Sequence, residues 1–416
     1  MLDINFIREN PDKVKANNKI RKCQVDVAEI LKLDEKRRDL ISQIDVKRAE
    51  LNQKSKSKPG PDEIIKLKAL GEDIKAIEAK LKPVEDELHG LLIQLPNLTH
   101  ESVPEGKDES GNVVIRTWGD KLKSAFGGKP KEHWELGEAL DLIDAERGAK
   151  VSGARFWYLK GDLVMLEFAL IQYAAQFMQA KGFTPMLPPM LVRERAMYGT
   201  GFFPADKNEI YKVNENEDEL YLIGTSEVPL ASYHADETIN VGEKPLKYFG
   251  YSSCFRREAG AAGKDMKGIL RGHQFDKIEM FVFASEDASW KMHEEILAIS
   301  EEFWQSLGIP YQVLNMCTGD IGAPNAKKYD IEGWLPGQGQ YREVASCSHD
   351  TDFQARRLGI KYVDKDGSRK FVHTLNNTVC ALGRCLVMIM ENYQQADGTI
   401  LIPKVLAPLF GKEKIG

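Results

Sequence analysis

From Leu67 to Leu95 apolar residues recur every seventh position without a miss. Leu67, Ile74, Leu81, Leu88 and Leu95 hold one seam position, and Leu70, Ile77, Val84 and Leu91 the other. Two seam residues per heptad are coiled-coil spacing. A weaker partner pattern precedes it in Ile30, Leu33, Leu40, Ile44 and Leu51, interrupted by Arg37 and Lys47. Between the two lies KSKSKPGPDE, residues 54–63, whose Pro and Gly stop one helix and whose Asp62 is placed to cap the next. The spacing therefore predicts an antiparallel helical hairpin over about residues 28–97. Pro83 removes a backbone hydrogen bond, at a cost of about 3 kcal/mol in a helix interior, so a kink or local break is expected there. A hairpin this thin buries no core of its own. Heptads often serve dimerisation, but helices joined by a tight turn satisfy each other's seams and leave the tip free to reach another partner.

The rest of the chain is long enough to supply the missing core. At 416 residues the whole chain exceeds the ~250–300 at which single cores stop growing, which predicts two domains. After LPNLTHESVP, residues 95–104, Gly, aromatic and β-branched residues rise, and strand-like runs such as LKYFGYSSCF and DKIEMFVFA alternate with helix-like ones such as LVMLEFALIQYAAQFMQA. The expectation is an N-terminal domain over 1–104 and an α+β domain over 105–416. No stretch approaches the ~20 uncharged apolar residues of a membrane span, and the start, MLDINFIREN, lacks the basic and apolar regions of an export signal. No membrane partner and a cytoplasmic location are expected. The cysteines, Cys23, Cys254, Cys317, Cys347, Cys380 and Cys385, form no C-x-x-C pair, so they read as buried thiols and no zinc is expected. The net charge of -6 is mild, but residues 13–58 hold fourteen Lys or Arg against seven Asp or Glu. That basic stretch suits nucleic acid or is a solvated helix face. The acidic NENEDE at 214–219 reads as a solvated loop.

Three segments carry chemistry. In 269–279, ILRGHQFDKIE, a strand reading puts Arg271, His273, Phe275, Lys277 and Glu279 on one face. Just before it, YFGYSSCFRRE gives a second strand with Arg256 and Glu258 on a common face, joined through the glycine-rich, mobile AGAAGKDMKG. Arginines suit phosphates, a flat ring suits a base and a carboxylate suits an amine, although an ion-paired sheet face has the same composition. In 371–390, FVHTLNNTVCALGRCLVMIM, Asn376 or Asn377 is placed to begin an apolar helix, and Arg384 within it requires a carboxylate or a phosphate as partner. In YREVASCSHDTDFQARRLGIKY, residues 341–362, Glu343 and Ser346 are oxygen donors suited to Mg²⁺, with Asp350 and Asp352 as competitors. Neither a G-x-x-x-x-G-K-[ST] loop nor a dinucleotide glycine fingerprint occurs, so phosphates must be held by side chains.

In this order the segments resemble the signature motifs of class II aminoacyl-tRNA synthetases, and in detail those of seryl-tRNA synthetases. KGFTPMLPPMLV at 181–192 is similar to motif 1, FRREAGAAGKDMKGILRGHQFDKIEM at 255–280 to motif 2 and HTLNNTVCALGR at 373–384 to motif 3. GTSEVPL at 224–230, EVASCS with DFQARR at 343–357, and the arm ending in LLIQLPNLTHESVP match the serine branch, so the resemblance spans essentially the whole chain. It implies an α+β fold: an N-terminal antiparallel two-helix coiled-coil arm that binds tRNA, and a catalytic domain on a six- to eight-stranded, mostly antiparallel sheet flanked by helices. Motif 1 implies a homodimer.

The implied activity is that of a serine–tRNA ligase acting on ATP, L-serine and tRNA(Ser), and on tRNA(Sec) where a cell has it. The resemblance assigns Arg256 to the α-phosphate and the serine carboxylate, Glu258 to the adenine amine, and Arg271 and Arg384 to the outer phosphates. Phe275 stacks on adenine, and Arg257, Val344 and Ala345 join the ATP site. Thr225, Ser226, Glu227, Glu279 and Thr378 bind serine, and Glu343 and Ser346 carry Mg²⁺. Many bacterial members read HTLNGSGLA where this chain reads HTLNNTVCA, so Thr378 stands where a serine often contacts the substrate, and Asn377 and Val379 replace glycines. Other branches carry the Asn-Thr pair. His349 stands where an asparagine is common. Two other readings have discriminating features: relatives that load carrier proteins lack the arm, and a non-catalytic paralogue would lose Arg256, Glu279, Glu343 or Arg384, all of which are present.

Overall fold

The structure is a computed structural model that describes residues 1–55, 60–121, 129–214, 219–242, 244–259, 265 and 267–416. The middle of the expected arm turn, residues 56–59, most of the acidic 214–219 cluster and most of the glycine-rich 259–268 connection lie outside the described residues. The chain divides into two compact units, Met1–Leu98 and Thr99–Gly416.

The first unit contains short helices α1 (Ile4–Glu9) and α2 (Pro11–Ile20) and two long ones, α3 (Val27–Lys54) and α4 (Pro61–Leu92). Asp26 caps α3 by accepting from Ala28 N at 2.8 Å. The N-cap of α4 is Gly60, not Asp62; Asp62 lies inside the first turn, and Glu63 reaches back to accept from Gly60 N at 3.1 Å. Ile30, Leu33, Leu40 and Ile44 of α3 are buried with Ile74, Ile77, Val84 and Leu88 of α4, so the heptad seams close on each other. The two interruptions are absorbed by charge: Arg37 pairs with Glu85 at 3.4 Å and Lys47 with Asp73 at 2.8 Å, both across the antiparallel helices. Helix α4 runs through Pro83 without the expected break. Pro83 and Ala79, whose carbonyl loses its donor, are both exposed, so water can serve that oxygen.

The second unit is built on an eight-stranded sheet. Its strands are β1 (Val113–Trp118), β2 (Thr184–Met186), β3 (Leu246–Phe255), β4 (Gln274–Ala284), β5 (Tyr311–Asn315), β6 (Lys327–Leu335), β7 (Gln340–His349) and β8 (His373–Ala381), in the spatial order β1-β5-β6-β7-β8-β4-β3-β2. Every neighbouring pair is antiparallel except β2 with β3. The helices that matter for the site are α5 (His133–Ala139), α6 (Asp162–Ala180), α7 (Glu227–Ser232), α8 (Glu286–Ser306), α9 (Phe353–Leu358) and α10 (Leu382–Tyr393). Leu163, Leu166, Leu170, Ala174 and Met178 of α6 recur at helical spacing and join Ile296, Leu297, Phe303 and Trp304 of α8 in the main core. Full burial of each large side chain stabilises by about 1.5–3 kcal/mol, which makes this core the second unit's main support. Among the described residues no helix is long and apolar enough to cross a membrane. All six cysteines are free, and Cys23 is partly exposed, unlike the other five.

Two element boundaries differ from expectation. The strand expected over 269–279 begins at Gln274, so Arg271 and His273 lie on the irregular approach to β4. The helix expected from Asn376 or Asn377 begins at Leu382, because those residues belong to β8, every residue of which is buried between β7 and β4.

Candidate active site

Two β-bulges shape the pocket face of the sheet. In β7, Ala345 faces Ile331 and Glu343 faces Glu332, which leaves Val344 as an extra residue. Strict alternation would put Glu343 and Ser346 on opposite faces, and the bulge lets both reach the cavity. In β8, Thr378 faces Glu279 and Cys380 faces Ile278, with Val379 as the extra residue. Thr378 and Ala381 consequently both border the cavity.

This cavity, of about 470 Å³, gathers residues from the three chemical segments. Arg256, Glu258, Arg271, Phe275 and Glu279 come from the β3–β4 hairpin, Glu343, Val344, Ala345 and Ser346 from β7, and Thr378 and Arg384 from β8 and the start of α10. Thr225 and Glu227 enter from the start of α7. Arg257 and Ser226 stay outside. Arg257 is exposed, with its guanidinium 6.0 Å from the Tyr211 ring centre, while Ser226 is buried and bonded to Ser252 Oγ at 2.7 Å.

Charge is organised in pairs along the floor. Arg271 meets Glu258 at 2.6 Å, Arg384 meets the Glu343 carboxylate at 3.5 Å, and Lys277 meets Glu279 at 2.5 Å. The protein surrounding Glu343 would raise its carboxyl, but Arg384, Lys328 and Arg256 outweigh that and hold it at about 2, so Glu343 is an anion throughout the physiological range. The Arg256 guanidinium lies 5.3 Å from the Phe275 ring centre, and its Nε donates to Gly224 O at 3.2 Å. Thr378 Oγ1 donates to Glu279 Oε2 at 3.0 Å. Glu258 sits just past β3 in left-handed backbone, φ 50°.

Behind this layer lies a set that sequence reasoning did not assign. Gln354 of α9 is buried and donates to Glu227 Oε1 at 2.8 Å. Asp350 accepts from Asn325 at 2.6 Å and from Asn376 at 3.5 Å, and both asparagines line the cavity. Asp350 is thus turned to these amides, and Asp352 is bonded to Arg356 at 2.7 Å, so neither joins Glu343 and Ser346. Burial, with Asp350 and Glu279 close by, pushes the Glu227 carboxyl up to about 8. In the neighbouring strand β6, Lys328, which itself borders the cavity, pairs at 3.1 Å with Asp330, the ladder partner of Ser346. The signal for them was present: after Lys327, charged residues at every second position, Lys328, Asp330 and Glu332, alternate with Tyr329, Ile331 and Gly333 in a central strand.

A mostly antiparallel sheet that presents arginines from one long hairpin and from the helix after a later strand defines a class II aminoacyl-tRNA synthetase. Residues 211–393 match the tRNA synthetase class II core domain family (G, H, P, S and T), and residues 1–99 match the seryl-tRNA synthetase N-terminal domain family. The chain is 45% identical over 428 residues to the serine–tRNA ligase of Thermodesulfovibrio yellowstonii, covering 100% of both chains. It superposes with TM-score 0.92, at 44% identity and covering 100% of this chain and 99% of the other, on the crystal structure of seryl-tRNA synthetase from Pyrococcus horikoshii complexed with ATP. The corresponding values for the cytoplasmic serine–tRNA ligase of Naegleria fowleri in complex with AMP are 0.89, 37%, 100% and 98%. The chain belongs to the seryl-tRNA synthetase family and is a serine–tRNA ligase.

Proposed function

We propose that the cavity joins L-serine to ATP and that the helical arm presents tRNA(Ser), and tRNA(Sec) where a cell has it, to the seryl-adenylate. The observation that carries this reading is the meeting of Arg256, Arg271 and Arg384 with the Glu279–Thr378 pair in one cavity. Arg256 binds the α-phosphate and the serine carboxylate, Arg271 and Arg384 the outer phosphates, Glu258 the adenine amine, and Phe275 stacks on adenine. Val344 and Ala345 form part of the nucleotide wall. Thr225, Glu227, Glu279 and Thr378 take the amino group and hydroxyl of serine. Arg257 and Ser226 do not border the cavity themselves but lie between residues that do, Arg256 and Glu258 in one case and Thr225 and Glu227 in the other.

The reaction needs no protein nucleophile. A serine carboxylate oxygen attacks the α-phosphorus in line, pyrophosphate leaves, and the fixed arginines stabilise charge that builds on the phosphate oxygens. A ribose hydroxyl of the terminal tRNA adenosine then attacks the adenylate carbonyl, and AMP leaves. An ionised Glu343 and a Ser346 brought to the same face by the bulge fit Mg²⁺, which prefers one or two carboxylates plus substrate phosphates. When bound, the ion neutralises phosphate charge.

A homodimer through the 181–192 stretch fits the exposed apolar side chains within it: Leu187 is 83% exposed, Met190 44% and Leu191 42%. A cytoplasmic setting fits the Naegleria relative.

The test is ATP–pyrophosphate exchange driven by serine, threonine or alanine, with full-length protein and with residues 28–97 deleted. Serine alone should drive exchange in both, and tRNA charging should fail in the deletion. Absence of serine-driven exchange sinks the proposed site. Charging that survives the deletion sinks the role of the arm.

A further inference from the structure

Behind the wall of the cavity, a buried carboxylate and a buried imidazole form a relay that packing does not require. Glu391, in the last turn of α10, is fully buried and accepts three N–H bonds. His133 N and His133 Nδ1 reach Oε1, each at 3.0 Å, and Gly337 N reaches Oε2 at 3.0 Å. The other ring nitrogen, His133 Nε2, accepts from the backbone N–H of Ile269 at 3.2 Å. A backbone N–H can only donate. Nε2 must therefore offer its lone pair, which puts the ring proton on Nδ1, facing Glu391.

What the ring holds is the approach to β4. A Cβ on Gly268, which has φ 75°, would come within 1.9 Å of His133 Nε2, so only glycine admits the ring here. Ile269, Leu270, Arg271 and Gly272 follow and line the cavity. This stretch belongs to no strand, so it lacks a ladder to fix its position. Its other end is tied where His273 N donates to Arg155 O at 3.2 Å.

We propose that His133, held in one tautomer by Glu391, is a positioning residue that sets Arg271 against the phosphates of ATP. The proposal rests on the assignment of Arg271 to those phosphates. Its physical content is a shared reference: α10 presents Arg384 from its first turn and Glu391 two turns later. One rigid helix thereby places one phosphate-binding arginine directly and the other through the Glu391–His133–Ile269 chain.

Two conservative substitutions separate the two bonds of the ring. His133→Asn keeps a donor for Glu391 and loses the acceptor for Ile269; His133→Gln extends an acceptor towards Ile269. In serine-dependent pyrophosphate exchange with the full chain, H133N should raise KM for ATP about tenfold while KM for serine stays within about twofold, and H133Q should recover most of the loss. Gly268→Ala, which pushes the stretch off an intact His133–Glu391 pair, should give the same ATP-specific rise. Arg271→Ala is the control for the underlying assignment: if its KM for ATP is unchanged, the reading of Arg271 fails. If R271A is impaired while H133N and G268A keep the wild-type KM for ATP, the positioning role alone is overturned. A parallel fall in kcat and Tm for H133N and H133Q, with both KM values unchanged, also overturns it, because that is what a purely structural histidine gives.

Discussion

Thr378 shows how far a single side chain can be read without its neighbours. As a substitution for a more usual serine it raised the question of whether the hydroxyl still faces substrate, and its bond to Glu279 at 3.0 Å answers that the oxygen is turned to the cavity floor. Thr378→Val keeps the volume and removes the donor from a buried carboxylate, a loss of about 1.5–3 kcal/mol, so KM for serine should rise at least tenfold while Thr378→Ser stays near wild type. Equal behaviour of the two variants in steady-state exchange would remove Thr378 from the serine site. Glu227 and Asp350 carry a pH signature. Burial raises both carboxyls, Glu227 from 4.5 to about 8 and Asp350 from 3.8 to about 7, so the folded chain binds more protons than the unfolded one across that window. Stability from these groups is fully present below pH 4 and lost as pH rises towards about 8. Urea midpoints measured between pH 5 and pH 8 should fall less steeply for Glu227→Gln than for the wild type; an unchanged slope contradicts the burial argument.

At the scale of elements, periodicity was reliable where one face met solvent and failed where an element was buried all round. The arm helices follow their heptads, because an exposed helix must keep its apolar residues on one seam. Strand β8 is buried along its whole length, so HTLNNTVCA shows no alternation, and its asparagines looked like a helix start. The bulges at Val344 and Val379 were equally hidden, since a bulge is defined against its partner strand and not within its own sequence. Pro83 gives the element-scale prediction. It sits on the exposed face of an unbroken helix, so Pro83→Ala restores a backbone bond without disturbing the seam, and should stabilise the first unit by up to about 3 kcal/mol. Thermal unfolding monitored by helical circular dichroism checks this, with serine activation unchanged. A lower unfolding temperature would show that the proline relieves a strain not visible in the helix.

For the whole molecule, the sequence by itself determined that there is an arm and a second, larger unit, that any phosphate bound there must be met by side chains and not by a phosphate loop, and which segments carry the arginines. These follow from local rules: heptad spacing, composition and the absence of a phosphate loop. It pointed to most residues of the cavity as well, although Arg257 and Ser226 do not border it. Only the tertiary structure decided which way such side chains point, because neighbouring residues in a chain diverge as soon as a strand ends or a helix begins. It alone supplied the layer behind the site. Gln354, Asp350 and the Glu391–His133 relay are joined to the cavity by hydrogen bonds that cross up to 258 residues of chain. Bonds of that kind leave no trace in spacing or periodicity, since what fixes them is how the sheet, α5, α9 and α10 pack together.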